Sequence, residues 1–263
     1  MGGLTGDLTY FCHTWAPYYH RVLILQSLDR YSLWTSALWS LIYELTYDHM
    51  EFTAIVIIVA LIISIILHEM AHGYMADWLG DPTARLQGRL SPNPLVHIDP
   101  LGSVIVPALL FFSNAGILFG WAKPVPYNPY NLRDQKWGEA KVAFAGPAVN
   151  IAIALLFGMM IRFSEALALN SAFIELSSYI VYINILLAFF NMIPIPPLDG
   201  SKIIQPFLPL SLQMKYRSFV HAFERWGLIG TFIFIFIFIN LFWAPFAKLV
   251  SSVFMLITGI SFF

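Results

Sequence analysis

The stretch FTAIVIIVALIISIILHEMAH, residues 52–72, decides the fold. Phe52–Leu67 is apolar except for Thr53 and Ser64, and its helical reading runs on through His68 to Leu79. A run this long and this apolar is a membrane span, which needs about 20 such residues. It leads into His68-Glu69-Met70-Ala71-His72. Histidines four apart project from one helical face, so both imidazoles can bind one zinc ion. Glu69 lies beside them and can take a proton from water at that metal. The pentapeptide also arises by chance. Its place argues against chance, because two His and a Glu inside a span are costly unless paired or functional.

Working outward, the 263-residue chain is 59% hydrophobic and 11% charged, with a mean hydropathy of +0.72. Soluble domains are about 45–50% apolar and about 25% charged. This composition excludes a disordered chain and a nucleic-acid binder, which would need a basic surface, while the net charge of −1 says nothing about partners because the few charges are grouped by position. The single cysteine, Cys12, rules out an intramolecular disulfide and an all-cysteine metal site. Further apolar stretches are Leu101–Trp121, Glu139–Phe163, Phe173–Ile193, Gly227–Trp243 and Phe246–Phe263, the last two split at Pro245. Tyr31–Tyr47 is amphiphilic and aromatic, the weakest of the set. Residues 231–240, TFIFIFIFIN, alternate like a strand, but both alternating positions are apolar. A barrel strand would turn polar residues to its lumen, so a lipid-facing helix is expected. The expected fold is an all-α polytopic membrane protein with about five to six transmembrane helices.

Lys and Arg set the orientation. Arg85 and Arg89 follow the first strong span, Lys123, Arg133, Lys136 and Lys141 precede the third, and Lys202, Lys215, Arg217 and Arg225 follow the fourth. All three groups are expected in the cytoplasm. Leu101–Trp121, flanked by two of them, should then enter and leave on one side. Its Pro107, Asn114 and Gly116 suit a re-entrant hairpin, tolerated where protein or a cavity covers it. A complete span with one mis-signed loop is the alternative. A re-entrant hairpin or a short β-edge is expected near the site, and the edge of residues 82–98 could take a peptide by strand addition. Residues 1–50, with Cys12, His13, His20 and His49 and no Sec-type signal pattern, read as an extension of uncertain role. Residues 51–263 read as a single membrane-embedded domain.

A catalytic zinc site has three protein ligands and an open position. Asp199 is the best third ligand. It sits in Asn191-Met-Ile-Pro-Ile-Pro-Pro-Leu-Asp199-Gly200, where Pro194, Pro196 and Pro197 hold the chain extended and Gly200 allows a turn. The bland alternative is that Asp199 caps the next helix. Asn150, inside an apolar helix, is either glue between helices or a group near the substrate. Asn191 lies in the segment that delivers Asp199, and its amide could donate to an oxyanion. His97 could be a fourth ligand, a supporting group or a loop residue. Asp77 and Asp81 read as helix-end turn residues, and Lys123 as an interfacial anchor.

Three ordered motifs, His68-Glu69-x-x-His72, Gly146-Pro147-x-x-Asn150 and Asn191-x-x-Pro194-x-Pro196-x-Leu198-Asp199-Gly200, carry a family resemblance. So do PTARLQGRLSPNPLVHIDPLGS (82–103) and FGWAKPVPYNP (119–129). Over about residues 52–250 the chain resembles the site-2 protease family of intramembrane zinc metalloproteases, in its short prokaryotic subgroup without a PDZ domain. The resemblance implies that His68, His72 and Asp199 hold Zn2+, that Glu69 is the catalytic base, and that Asn191 stabilises the oxyanion or engages the substrate backbone. It also implies a transmembrane protein or peptide as substrate, within the bilayer of a prokaryotic cell, with the site toward the cytoplasm. An extra proline at 197 and residues 1–50 fall outside the family pattern. The rival reading is a membrane metal transporter or sensor built on the same His/Asp cluster, which would want polar residues along several spans.

Overall fold

The structure, a computed structural model, describes residues 33–113 and 120–262, with side chains from residue 54 onward except Phe111 and Glu224. The chain divides into two compact units, Met1–Ala54 and Ile55–Phe263. Cys12, His13, His20 and the start of the Tyr31–Tyr47 stretch lie outside the described residues, as do Asn114 and Gly116.

The elements are α1 (Leu33–Trp78), α2 (Thr83–Leu86), α3 (Val106–Phe112), α4 (Gly138–Arg162), α5 (Ser171–Asn191), α6 (Gly200–Ile203), α7 (Leu210–Ile237) and α8 (Trp243–Thr258). Among the described residues four helical runs are long and apolar enough to cross a membrane: Ala54–Trp78 of α1, α4, α5 and Arg225–Thr258. The stretches read as separate spans on either side of Pro245 therefore join. The reason is local: Phe238–Phe242 is a π-helical turn, and Pro245 falls in the first turn of α8. There a missing N–H costs little, because first-turn N–H groups lack helical partners. The break comes earlier, at Gly227, whose φ of +52° kinks α7 and suits a residue without a Cβ. The TFIFIFIFIN run is helical as expected. Phe234, Ile235 and Phe238 turn inward, while Phe232, Phe236 and Ile237 stay exposed, a helical rather than an alternating pattern.

The membrane core is built on α4, α5 and α8. Ala154 and Ile161 of α4 meet Val181 and Ile185 of α5 and Val250 and Phe254 of α8. Lipid offers no hydrophobic drive between helices, so close packing must hold them. Gly158 serves that packing, since a Cβ there would overlap Ile257 of α8. A second cluster, Ala76, Leu79, Leu132 and Val142, joins the end of α1 to the start of α4. Beside it Asp81 ties the connecting chain together, accepting from Thr83, Asn128 and Asn131.

Residues 82–98 do not form the expected β-edge, and no strand occurs among the described residues. The segment is α2 followed by a 3-10 turn at Pro94–His97, with Asn93 capping Leu95. Pro92 and Pro94 lack the N–H groups that a ladder needs, and Gly88 sits at φ +66°. The two ends of the Leu101–Trp121 stretch meet. The Trp121 N–H donates to the Gly102 carbonyl at 3.1 Å, and the Ser103 hydroxyl donates to the Trp121 carbonyl at 2.8 Å. A Cβ on Gly102 would overlap the Trp121 ring. Its helical arm, Pro100–Phe112, reaches only about 20 Å at 1.5 Å per residue, short of the roughly 30 Å hydrocarbon core.

Candidate metal centre

His68 and His72 lie one turn apart on α1, their rings 4.6 Å apart and perpendicular. Both face Asp199: its Oδ2 is 3.1 Å from His68 Nε2 and 3.3 Å from His72 Nε2. The three side chains are only 8%, 12% and 16% exposed. One donor atom from each falls within 4.8 Å of the other two. Tetrahedral zinc with bonds of about 2.0–2.1 Å places its ligand atoms about 3.3 Å apart. The His/His/Asp set therefore fits zinc in type and in spacing.

The other ring nitrogens are held from behind. His72 Nδ1 lies 2.7 Å from the Val142 carbonyl of α4. A carbonyl only accepts, so Nδ1 carries a hydrogen, and Nε2 is the nitrogen turned toward Asp199. His68 Nδ1 lies 2.5 Å from the Asn150 Oδ1, also on α4. Gly146 lets α4 come this close. A Cβ there would lie 2.5 Å from His72 Nε2 and 2.6 Å from His68 Nε2.

Asp199 arrives from the far end of α5. After Asn191 the chain makes short turns, with Ile195 N–H bonded to the Ile193 carbonyl and Leu198 N–H to the Ile195 carbonyl. Leu198 is buried with Phe234, Ile235 and Phe238, which anchors the segment. Gly200 has no room for a Cβ, which would strike the Met192 and Ile193 carbonyls. Asp199 stands at the N-terminus of α6, yet its side chain makes no capping hydrogen bond. Burial pushes its carboxyl up, but the hydrogen bonds and charges of His68 and His72 outweigh that and hold it well below the usual carboxylate range.

Glu69 points at the segment after the 101–121 stretch. Its Oε2 accepts the Val125 N–H at 3.0 Å. That segment is pinned in turn: Arg89 donates to the Lys123 carbonyl at 2.7 Å, and Lys123 N–H to the His97 carbonyl at 2.8 Å. Nearby, Lys202 Nζ sits 5.1 Å over the Tyr127 ring. Burial pulls this ammonium's pKa down, but Tyr127, Asp199 and Glu139 outweigh that and raise it.

The structure thus brings His68, His72 and Asp199 together, with Glu69 next to His68 in the chain. Asn150 stands behind His68. Asn191 turns into its own helix, donating to the Leu187 carbonyl at 3.0 Å. His97 is buried, and its Nε2 lies 2.8 Å from the Ser91 carbonyl, outside the cluster. Asp77 pairs with Arg85 at 3.0 Å near the end of α1. Val125, Val142, Ser64 and Asn184 were not singled out from the sequence. The first two act through their backbones, which side-chain identity does not betray. Asn184, an amide within an apolar span, was the signal available for the others.

Residues 158–237, which include the Asn191–Gly200 segment, match the family model of peptidase family M50. The chain is 34% identical over 165 residues to YwhC of Bacillus subtilis (strain 168), a protein named as a zinc metalloprotease; the match covers 60% of this chain and 72% of YwhC. It is 28% identical over 176 residues to Rip2 of Mycolicibacterium smegmatis, also so named, covering 66% of this chain and 64% of Rip2. With MJ0611 of Methanocaldococcus jannaschii, again named as a zinc metalloprotease, it shares 34% identity over 113 residues, 39% of this chain and 58% of that one. The chain thus spans under two thirds of the length of Rip2 and MJ0611. No solved structure matches it. With HExxH, its Asp199 partner and a relative covered over most of its length, the chain belongs to the site-2 protease family, peptidase family M50.

Proposed function

We propose that this protein is an intramembrane zinc metalloprotease that cleaves transmembrane segments of membrane proteins. The observation that carries the reading is the buried His68/His72/Asp199 cluster at the end of an apolar span, with Glu69 beside it. His68, His72 and Asp199 hold the zinc. When bound, zinc supplies Lewis acidity, polarising the scissile carbonyl and acidifying water.

The protein's own groups do the rest. One oxygen of Glu69 is held by the Val125 N–H, which aims the other at the attacking water. Glu69 takes a proton from that water and delivers it to the leaving amine nitrogen. Val142 and Asn150 hold the two rings at Nδ1, which turns Nε2 of His72 and of His68 toward Asp199. A substrate helix shields its peptide bonds with its own hydrogen bonds, so it must unwind locally before attack. Basic residues cluster on the loops next to the site, which supports placing it toward the cytoplasm of a prokaryotic cell. The transporter reading is not favoured. Among the described residues, Ser64, Asn150 and Asn184 bond to His68 or to one another instead of lining a path.

The experiment is cleavage of a panel of transmembrane peptides by purified protein, with and without a chelator. Cleavage should stop on chelation and return with zinc. Glu69→Gln should keep zinc and lose turnover, since only the proton-transfer group changes. Near-normal turnover by that variant would remove Glu69 from the mechanism.

A further inference from the structure

Between the start of α4, the end of α6 and the first part of α7 lies a cavity of about 240 Å3. Three cations line it, Lys136, Lys202 and Arg217, against one carboxylate, Glu139. Among the described residues none of the three cations forms an ion pair. Arg217 is steered by Gln205: its Nε donates to Gln205 Oε1 at 3.4 Å, while Gln205 Nε2 donates to the Ser201 carbonyl at 3.2 Å. That bond uses Nε and leaves the two Nη groups of Arg217 for another acceptor. Burial works against the charge on Lys202, but Tyr127, Asp199 and Glu139 outweigh it. Cations gathered without a counter-ion repel one another and suit an anion. A guanidinium beside two ammonium groups matches a phosphate, which accepts from a fork and from point charges alike.

The walls put this cavity at headgroup depth. Lys136 precedes and Glu139 begins the span Gly138–Arg162, and Arg217 belongs to residues 210–226, which run through the Gly227 kink into the last span. Residues 210–226 are amphipathic. They meet the protein along Gln213, Tyr216, Val220 and Phe223, half-buried and three or four apart. Tyr216 donates to the Pro194 carbonyl at 3.0 Å, and Phe223 packs on the Leu198 cluster. Leu212, Phe219 and Trp226, seven apart, form an exposed apolar line beside that stripe, and Lys215, Ser218 and Arg225 are exposed away from it. A helix divided in this way lies in a membrane interface. The rim of the cavity is apolar as well. Leu210 is 72% and Met214 60% exposed, each three residues before Gln213 or Arg217 on the helix. Trp137 meets Phe207 edge-on at 5.0 Å, between the same two walls. A soluble phosphate gains nothing from such a rim, whereas acyl chains do. The volume is below the roughly 300–1,000 Å3 that encloses a drug-sized ligand, so it suits a headgroup and not a whole lipid.

We propose that this cavity binds the phosphate of an anionic phospholipid, with Lys136, Lys202 and Arg217 as its cationic contacts and the apolar rim against the acyl chains. Binding there requires neither zinc nor catalysis.

The test uses the purified full chain in neutral detergent, with phosphatidylglycerol or phosphatidylcholine added and lipid retention read by native mass spectrometry. One phosphatidylglycerol should be held at least about fivefold more tightly than phosphatidylcholine. Lys136→Gln and Arg217→Gln should each weaken it about fivefold, the effect of one cation lost beside anionic lipid. Both residues are exposed, so the variants should fold, which helix content verifies. Glu139→Gln, which removes the carboxylate, should tighten binding. Lys215→Gln and Arg225→Gln, on the same helix but outside the cavity, should leave it unchanged. Equal retention of the two lipids would overturn the proposal, as would folded Lys136→Gln and Arg217→Gln proteins that bind like wild type. A loss in Lys215→Gln or Arg225→Gln as large as in Arg217→Gln would make the attraction diffuse and overturn it too. Inorganic phosphate that displaces the lipid and protects the protein from heat equally well would assign the cavity to a soluble anion and overturn the lipid assignment.

Discussion

A Cβ added to Gly146 would sit 2.5 Å from Nε2 of His72, so the contact between α4 and the HExxH turn depends on a missing methyl group. Gly146→Ala should gain up to about 1 kcal/mol of helix propensity and still damage the site. The neighbours it strikes are imidazoles fixed by Val142 and Asn150, with little freedom to move aside. Zinc affinity should fall at least about tenfold, in the range typical of disturbed ligand support. Metal content of the purified variant checks this, and a fully loaded, active Gly146→Ala protein would mean that α4 stands farther off.

Asp199 should behave as a ligand rather than as a cap. It begins α6 without giving a capping bond, and its carboxylate faces both histidines. Asp199→Ala and Asp199→Asn should both lose zinc and cleavage. Asn and Asp rank together as caps, so a capping role would spare the Asn variant. Zinc analysis of folded Asp199→Asn protein, its helix content verified, separates the two.

The hairpin should be open to one side of the membrane only. Gln87 and Tyr130 are exposed and flank it. With Cys12 changed to Ser, single cysteines at 87 and 130 should both react with an impermeant reagent from the cytoplasmic face. Labelling from opposite faces would make Leu101–Trp121 a complete crossing.

Asp81 should make the protein sensitive to acid. Burial pushes its carboxyl up, but donors from Thr83, Asn131 and Asn128 outweigh that and hold it below its ordinary value of 3.8. A depressed folded pKa means that the stabilisation is present above about pH 4 and fades as pH falls further. Thermal unfolding in detergent should weaken over that range. Asp81→Asn should lose about 1–3 kcal/mol at neutral pH, the cost of broken buried hydrogen bonds, and show a flatter acid limb. Wild-type melting of this variant at pH 7 would mean that Asp81 does not tie the connecting chain together.

Much of the site was legible because its side chains are spaced by helix geometry: His68 and His72 share a face by period alone, and three prolines before Asp199 mark a stiff delivery segment. The meeting of the two ends of the 101–121 stretch agrees with its flanking charge, since Arg89 and Lys123 ask for the same compartment. What stayed hidden depends on main-chain atoms or on distant partners. Val125 and Val142 contribute an N–H and a C=O that any residue but proline could offer at 125 and any residue at 142. Asn150 could have faced a substrate, and only the approach of α4 turns it to His68. Residues 82–98 offer no edge, because Pro92 and Pro94 and the turn at Pro94–His97 break any ladder. Pro245 looked like a boundary between spans because its harmless place in the first turn of α8 depends on the π-turn before it.

The meeting of Gly102 with Trp121 also bears on a matter of parity. HExxH lies at one end of α1 and Asp199 follows α5, and the two must finish on the same face of the bilayer to share an ion. Between them the chain may therefore cross only an even number of times. Helices α4 and α5 supply two crossings. A third, by the 101–121 stretch, would carry Asp199 to the opposite leaflet and leave the histidines alone. A return of the 101–121 stretch to its starting side is thus a condition for bringing the histidines and Asp199 together, and an insertion that lengthened it into a full span should disable the protein without touching any of the three.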